Sequence, residues 1–348
     1  MLTLLTVIIV FSVVIIIHEL GHFLVARRIG VKVERFSLGL GKVLWSKRFG
    51  ETEYAISAVP FGGYVKMAGE EPTDKREGKP WEFYSKPPGK RFWILFAGAA
   101  VNYLFAFLVF SFILPTSRVG IVFKDMPAYN AGMETKDRIV SIDNKKVKYW
   151  YEVVDIVSKD ASTRPLRFQV DRDGRIMELT LTPTLMESKG IFGQTKERPK
   201  IGISYYGDVE ILKSRSPLKY LTTGLRQTFH NTSITYKYIW YLITGKVPIK
   251  GTVTGPVGIA VILGKAARVG FVYLLFLVGH INLALAIFNL LPFPVLDGGH
   301  ILFLGLEKIR KRPLSPKAQE IIQYVAISLI LAFFLFVSYN DILRWLVK

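Results

Sequence analysis

The sequence has no cysteine among its 348 residues, which excludes a disulfide framework and a thiolate metal site. Acidic residues are also scarce, with 27 Asp and Glu against 46 Lys and Arg, while hydrophobic residues make up 50% of the chain. A nucleic-acid-binding protein would explain the net charge of +19 but not the high hydropathy. A membrane protein with basic loops explains both, so we expect a lipid bilayer and no nucleic acid as partner.

Four long apolar runs predict four transmembrane helices, since about 20 residues are needed to cross a bilayer. The first run has no Lys or Arg before it and no small-residue cleavage site after it. This pattern favours a retained span over a secretory signal peptide. The predicted spans cover residues 1–26, 92–114, 271–297 and, with the C-terminus, 321–348.

Basic residues predict the orientation of these spans. Residues 27–91 carry 14 Lys and Arg, and residues 298–320 carry five. Because positively charged loops tend to stay in the cytoplasm, we expect both loops on the cytoplasmic side. Both termini and residues 115–270 are then expected outside.

The long outer segment is expected to begin with a small β-rich domain at residues 115–185. Turn signals separate its strand-like runs, which cover residues 120–123, 138–142, 166–170 and 177–182. Residues 186–270 are predicted to be a linker with an amphipathic helix at 217–244. That helix is consistent with binding at the membrane surface and with packing on the outer domain.

The strongest chemical signal is the segment HELGH at residues 18–22, inside the first apolar run. On a helix, His18 and His22 share one face, so both imidazoles can bind one metal ion. Glu19 lies beside them, where it can take a proton from an attacking water. Ionisable groups within a span cost about 3 kcal/mol or more each, which favours a functional role over a structural one.

A catalytic zinc site needs a third protein ligand. Asp297 and His300 both follow the third span at the depth expected for His22, and we prefer Asp297 because Gly298 and Gly299 permit close backbone approach. His230 and His280 are poorer candidates, being placed toward the outer side. In the second run, Gly98 and Asn102 lie four residues apart and so share one helical face.

The first cytoplasmic loop contains a predicted β-hairpin at about residues 53–68. Residues 54–59 are predicted to form one strand, Pro60 to Gly63 the turn, and residues 64–67 the return strand.

Two segments together resemble the site-2 protease family of intramembrane zinc proteases, most closely the bacterial regulator-of-sigma-E protease type. They are HELGH at residues 18–22 and NLLPFPVLDGG at residues 289–299. The resemblance implies one zinc ion held by His18, His22 and Asp297, with Glu19 as general base. It also implies that Asn289, Pro292 and Pro294 shape the substrate cleft.

The hairpin resembles the membrane-associated β-loop of that family. Such a loop would offer a free strand edge to an extended substrate, with Gly62 and Gly63 at its turn. A plain cytoplasmic hairpin is the alternative interpretation.

The outer domain is similar to a PDZ domain, through Arg118 to Val122, Pro127 to Met133 and Asp137 to Asp143. Lys136 and Asn144 replace two glycines of the usual pattern. Gly120 and Ile121 would lie in the carboxylate-binding loop. The domain would either bind a peptide end or act as a passive steric filter.

The expected fold is thus a polytopic α-helical membrane protein of about four spans, with a membrane-associated β-hairpin and an extracytoplasmic α+β PDZ domain. The expected activity is that of an intramembrane zinc metalloendopeptidase of the bacterial cytoplasmic (inner) membrane. By resemblance, its substrates are single-span proteins such as anti-sigma factors or remnant signal peptides. A non-catalytic membrane-anchored PDZ protein and a metal transporter are the alternatives.

Overall fold

The computed structural model describes residues 2–70, 77–159, 164–189, 195–248, 253–312 and 314–346. The chain divides into two compact units. The helical unit comprises Met1–Val109 and Gly224–Lys348, and the β-rich unit comprises Phe110–Thr223.

The described helices are α1 (Leu2–Ile29), α2 (Pro88–Phe112), α3 (Pro127–Asn130), α4 (Trp150–Lys159), α5 (Pro217–Ile243), α6 (Pro256–Val269), α7 (Phe271–Asn289), α8 (Asp297–Arg310) and α9 (Pro316–Leu346). The described strands are β1 (Val33–Phe49), β2 (Thr52–Met67), β3 (Ile113–Pro115), β4 (Val119–Val122), β5 (Arg138–Ile142), β6 (Lys145–Lys146), β7 (Leu166–Arg172), β8 (Arg175–Leu181), β9 (Thr184–Lys189), β10 (Thr195–Lys200), β11 (Ile203–Tyr205) and β12 (Val209–Ile211).

Four helices of the described chain are long and apolar enough to cross a membrane, as the sequence predicts. These candidate spans are Leu2–Ile29, Pro88–Phe112, Phe271–Asn289 and Lys317–Leu343. These four helices make the protein a polytopic helical membrane protein.

The predicted third span and the loop after it are wrong in their bounds. The span does not extend to residue 297, because α7 ends at Asn289 and Pro292 and Pro294 follow. Proline lacks an N–H and disfavours helix in the residue before it, so the chain is irregular here. Residues 298–320 are not simply a loop either, because helix α8 begins at Asp297. An acidic residue at a helix N-terminus is favourable for the helix dipole.

Helix α1 packs in an apolar core of the helical unit. Val10 and Val14 of α1 lie against Leu263 of α6 and Val278 of α7, and all four are buried. Between membrane helices such contacts stabilise through van der Waals packing, because lipid is as apolar as these side chains.

The predicted hairpin is wrong in its pairing. Residues 35–38 of β1 pair with residues 53–56 and also with residues 63–66, so β1 lies between the two arms that were expected to pair with each other. The tight turn instead falls at Gly50 and Glu51, between β1 and β2. Gly39 and Gly41 have φ of 89° and 82°, a conformation that favours glycine. They let β1 depart from a straight strand, so that residues 43–49 also pair with β2.

The β-rich unit contains the four strands predicted from the sequence. Strands β4, β5, β7 and β8 coincide with those runs to within a few residues, and β6, β5, β7 and β8 form one sheet in that order. Alternate residues face its core, where Ile139, Leu166, Phe168 and Val170 are fully buried. Helix α4 also belongs to this unit and had no sequence prediction.

The predicted C-terminal boundary of this domain, at residue 185, is wrong. Strand β11 pairs with β4 and strand β12 pairs with β3, so the chain returns to the unit after that residue. The predicted 186–270 linker therefore contains strands of the domain, followed by α5, which confirms the predicted helix at 217–244.

Gly120 and Ile121 do not lie in an open loop, contrary to expectation. Both belong to strand β4, whose partner is β11. The backbone N–H of Ile121 donates a 2.8 Å hydrogen bond to the Ser204 hydroxyl. The pairing with a strand some 80 residues later has no local signal in the sequence.

Phe168→Ala should destabilise the β-rich unit by about 3–5 kcal/mol, because it opens a cavity at a fully buried ring. Ile176→Ala, at a side chain that is 61% exposed on the neighbouring strand, is the matched control and should change stability by no more than about 0.5 kcal/mol. Hydrogen exchange of β7 and β8 in the full-length protein measures both. Equal protection in the two variants would contradict the assigned core.

Candidate metal centre

Three potential metal ligands converge within the helical unit. The Nε2 atoms of His18 and His22 lie 3.2 Å apart. Asp297 Oδ2 lies 3.2 Å from the first of these atoms and 3.5 Å from the second. The three side chains are at most 16% exposed. Among the residues that the structure describes, this is the one His/Asp/Glu group that could hold a metal ion.

The donor atoms fit a tetrahedral zinc ion. With bonds of about 2.0–2.1 Å, neighbouring ligands of such an ion lie about 3.3–3.4 Å apart. The observed separations of 3.2, 3.2 and 3.5 Å agree with this spacing. Two imidazole nitrogens and one carboxylate oxygen are also a usual ligand set of catalytic zinc.

Local structure explains how the ligands meet. His18 and His22 are one turn apart on α1, so their rings lie on the same face. Asp297 is the first residue of α8. Its approach depends on Gly298 and Gly299, because a Cβ at either position would collide with the backbone of the 290–294 segment.

A buried ion pair holds α8 against α2. The Arg91 guanidinium, only 3% exposed, donates to both carboxylate oxygens of Glu307, at 3.1 and 2.5 Å. Bidentate pairs of this kind fix geometry as well as supplying energy. They anchor the helix that begins with Asp297.

Helix α2 also contacts the histidine rings directly. The His22 Nδ1–H donates a 2.8 Å hydrogen bond to the Ile94 carbonyl, which leaves Nε2 of that ring available as a ligand. The Asn102 side chain lies 3.2 Å from His18 Nδ1. Between them, Gly98 passes so close that an added Cβ would collide with His22 Nε2.

Glu19 lies beside the three ligands and contacts strand β2. Its carboxylate accepts a hydrogen bond from the Val65 backbone N–H. Gly63 of the same strand packs on α1, where an added Cβ would be 3.1 Å from Ile15 and 3.6 Å from Glu19 Cγ. About two turns before Glu19 on α1, the Ser12 hydroxyl donates to the Pro60 carbonyl. Strand β2, with Gly62 and Gly63, therefore runs along α1 to the site.

Asn289, the last residue of α7, borders the same site. Its Nδ2 lies 3.0 Å from His18 Nε2. Pro292 and Pro294 lie in the irregular segment between Asn289 and Asp297.

The alternative third ligands lie elsewhere. The His280 Nδ1–H donates a hydrogen bond to the Phe276 carbonyl, and His280 Nε2 lies 3.5 Å from the Asn231 amide. His230 is exposed. His300 is in α8 but outside the converging group. Of the candidates weighed from the sequence, only Asp297 joins the two histidines.

Charge and burial set the pKa values of the groups outside the spans. Burial would raise the pKa of Asp297, but the charge of His22 and hydrogen bonds from His18 and His22 hold it well below its ordinary value. Burial lowers the pKa of His300. Burial also raises the pKa of Glu70 to about 7, although the Met67 N–H opposes this.

Several groups at the site were not identified from the sequence. They are the Ile94 carbonyl, the Val65 N–H and Asn102. The sequence contains a signal for Asn102 and Gly98, since they share a face of an apolar helix. It contains no signal for the two backbone groups.

The helix bearing HELGH and the facing carboxylate define the class of metallopeptidases. Comparison with known proteins gives the family. The model described as "Peptidase family M50" matches residues 6–333, and the chain belongs to that family. The resemblance to site-2 proteases and the expected peptidase activity are thereby confirmed.

Relatives of known name cover nearly the whole chain. A Campylobacter jejuni protein provisionally named a zinc metalloprotease is 36% identical, over 98% of this chain and 93% of its own. A Clostridium perfringens protein with the same kind of name is 32% identical, over 96% of each. The metalloprotease MmpA of Caulobacter vibrioides is 31% identical, over 99% of this chain and 96% of its own.

Gly98→Ala should lower zinc affinity by at least about tenfold, because its Cβ must displace the His22 ring and groups that orient metal ligands are worth about 10–100-fold in affinity. Gly89→Ala in the same helix, where an added Cβ meets no atom within 4 Å, is the control and should bind as wild type. Zinc retained after dialysis against a chelator measures both. Equal retention would show that α2 does not lie against the rings.

Proposed function

We propose that this protein is a zinc endopeptidase that cleaves transmembrane segments of single-span proteins within the bilayer. The observation that carries the proposal is the convergence of three ligands next to Glu19: His18 and His22, on a helix apolar enough to span a membrane, and Asp297 from α8. Membership of the M50 family and the names of the relatives support it.

His18, His22 and Asp297 would hold the zinc ion. When bound, zinc supplies Lewis-acid chemistry and makes water a competent nucleophile near neutral pH. Glu19 takes the proton of the attacking water and delivers it to the leaving amine. The Val65 N–H orients the Glu19 carboxylate for this transfer. The Asn289 amide, which borders the ligand nitrogen of His18, would donate to the developing oxyanion.

The substrate would bind as an added strand beside β2. The backbone N–H groups of Val65 and Met67 both point away from β1, toward Glu19 and Glu70. Alternate residues of a strand share one side, so Gly63 presents its backbone on that same edge. Gly62 and Gly63 would receive an extended substrate there, with Pro292 and Pro294 lining the opposite wall. A transmembrane helix must be unwound before it is cut, and pairing with an edge stabilises the unwound form.

The proposed orientation in the membrane follows from the charge distribution. The basic segments 27–91 and 298–320 would lie in the cytoplasm, with residues 115–270 outside, in the inner membrane of a bacterium. The β-rich unit would be a PDZ domain that binds peptide ends or filters substrates by size. Anti-sigma factors and remnant signal peptides are the proposed substrate classes.

Glu19→Gln should reduce cleavage of a reporter transmembrane substrate by about 10²–10⁴-fold, because general-base catalysis is lost. Zinc content should stay at the wild-type value, since Glu19 is not a ligand. Cleavage in detergent and bound zinc are measured on the same preparations. Undiminished cleavage would contradict the proposed mechanism.

Asp297→Ala should lower zinc affinity at least about tenfold, because two imidazoles alone make an incomplete site. His300→Ala, one turn along the same helix, is the control and should retain zinc. Metal analysis of both purified variants decides between the two residues. Loss of zinc from the His300 variant alone would identify His300 as the third ligand.

A further inference from the structure

We infer that Asn102 is a positioning residue of the metal centre, whose amide oxygen accepts the His18 Nδ1–H and holds Nε2 of that ring toward the metal. The inference rests on the zinc site of the proposed function. It adds a residue from α2, outside both ligand-bearing segments.

Asn102 is fully buried within α2. Its Nδ2 lies 3.2 Å from His18 Nδ1, while its Oδ1 has no hydrogen-bond partner in the part of the chain that the structure describes. A buried amide oxygen without a donor costs about 1–3 kcal/mol, so such an atom calls for a physical explanation.

The geometry of His18 supplies that explanation. Its Nε2 is the nitrogen that faces Asp297 Oδ2 and His22 Nε2. When Nε2 of a neutral imidazole binds a metal, Nδ1 carries the hydrogen and needs an acceptor. Amide O and N are interchangeable in shape and are assigned by the hydrogen-bond network. Rotating the Asn102 amide by about 180° exchanges the positions of its Oδ1 and Nδ2 atoms. Asn102 Oδ1 then accepts the hydrogen bond from the His18 Nδ1–H.

The other histidine is held in the same way by the same helix. His22 Nδ1 donates to the Ile94 carbonyl, so α2 supplies one acceptor to each ring. Ile94, Gly98 and Asn102 are spaced four residues apart and form one stripe. In that stripe a carbonyl and an amide flank the gap that Gly98 leaves for the rings.

The test is the zinc affinity of the full-length protein in detergent, measured by competition with a colorimetric chelator. Asn102→Ala removes the acceptor and should weaken zinc binding by about 10–100-fold, the usual effect of losing an outer-shell partner. Asn102→Asp keeps an oxygen acceptor at the same position but offers no N–H. It should bind zinc as tightly as wild type or more tightly.

Asn282→Ala is the matched control. Asn282 is also fully buried in a membrane helix, also has an amide oxygen without a partner among the described residues, and donates to the Val278 carbonyl of its own helix. It should leave zinc affinity unchanged. The zinc-free Asn102→Ala and Asn282→Ala variants should have similar melting temperatures.

Wild-type affinity in Asn102→Ala would overturn the inference, as would an Asn102→Asp variant that loses as much affinity as the alanine variant. Equal losses in Asn102→Ala and Asn282→Ala would assign the effect to general packing and also overturn it. A wild-type protein with no zinc affinity would instead overturn the zinc site of the proposed function.

Discussion

Two imidazole rings inside an apolar membrane helix impose a strict requirement: every ring nitrogen must find a partner, because no bulk water is there to supply one. The arrangement around α1 meets this requirement. The Nε2 atoms of His18 and His22 face each other and Asp297, and both Nδ1 atoms face α2. Because α2 must come within hydrogen-bonding distance of both rings, no side chain can stand between them. Glycine at position 98 is the local consequence of that requirement.

Asp297 has to reach the same point from the other end of the chain, and a continuous helix would carry it past the site. The break after Asn289 solves this problem. Two prolines end α7, the chain turns, and α8 begins with the carboxylate itself. The buried pair of Arg91 and Glu307 then holds α8 on α2. The metal centre thus draws on three segments distant in sequence, so it forms only when α1, α2 and the α7–α8 pair have packed. Local stability of those helices and metal affinity are coupled for this reason.

What the sequence predicts well is what local spacing determines. Helical spacing placed His18 and His22 on one face, apolar length located the spans, and alternation located β5, β7 and β8. The preference for Asp297 followed from depth and from the two glycines after it. Apart from the end of the third span, where the local cause is the pair Pro292 and Pro294, the errors concern partners far along the chain. The pairing of β1 with both arms of β2, and of β4 with β11, depends on tertiary register that periodicity does not contain. The sequence places Asn102 on the same helical face as Gly98, but the helix that this face contacts is decided by packing.

In the proposed function, strand β2 would connect the chemistry of Glu19 to substrate binding. The Val65 N–H that orients the Glu19 carboxylate belongs to the edge that does not pair with β1. A peptide added to that edge would therefore lie against the general base without any movement of α1. The same contact limits where the peptide can lie, because its backbone must leave the N–H of Val65 to Glu19. Pairing is then confined to the neighbourhood of Gly63, where the absence of a side chain lets strand, base and substrate come together. The position of the cut bond would follow from backbone register at this edge more than from recognition of any one side chain.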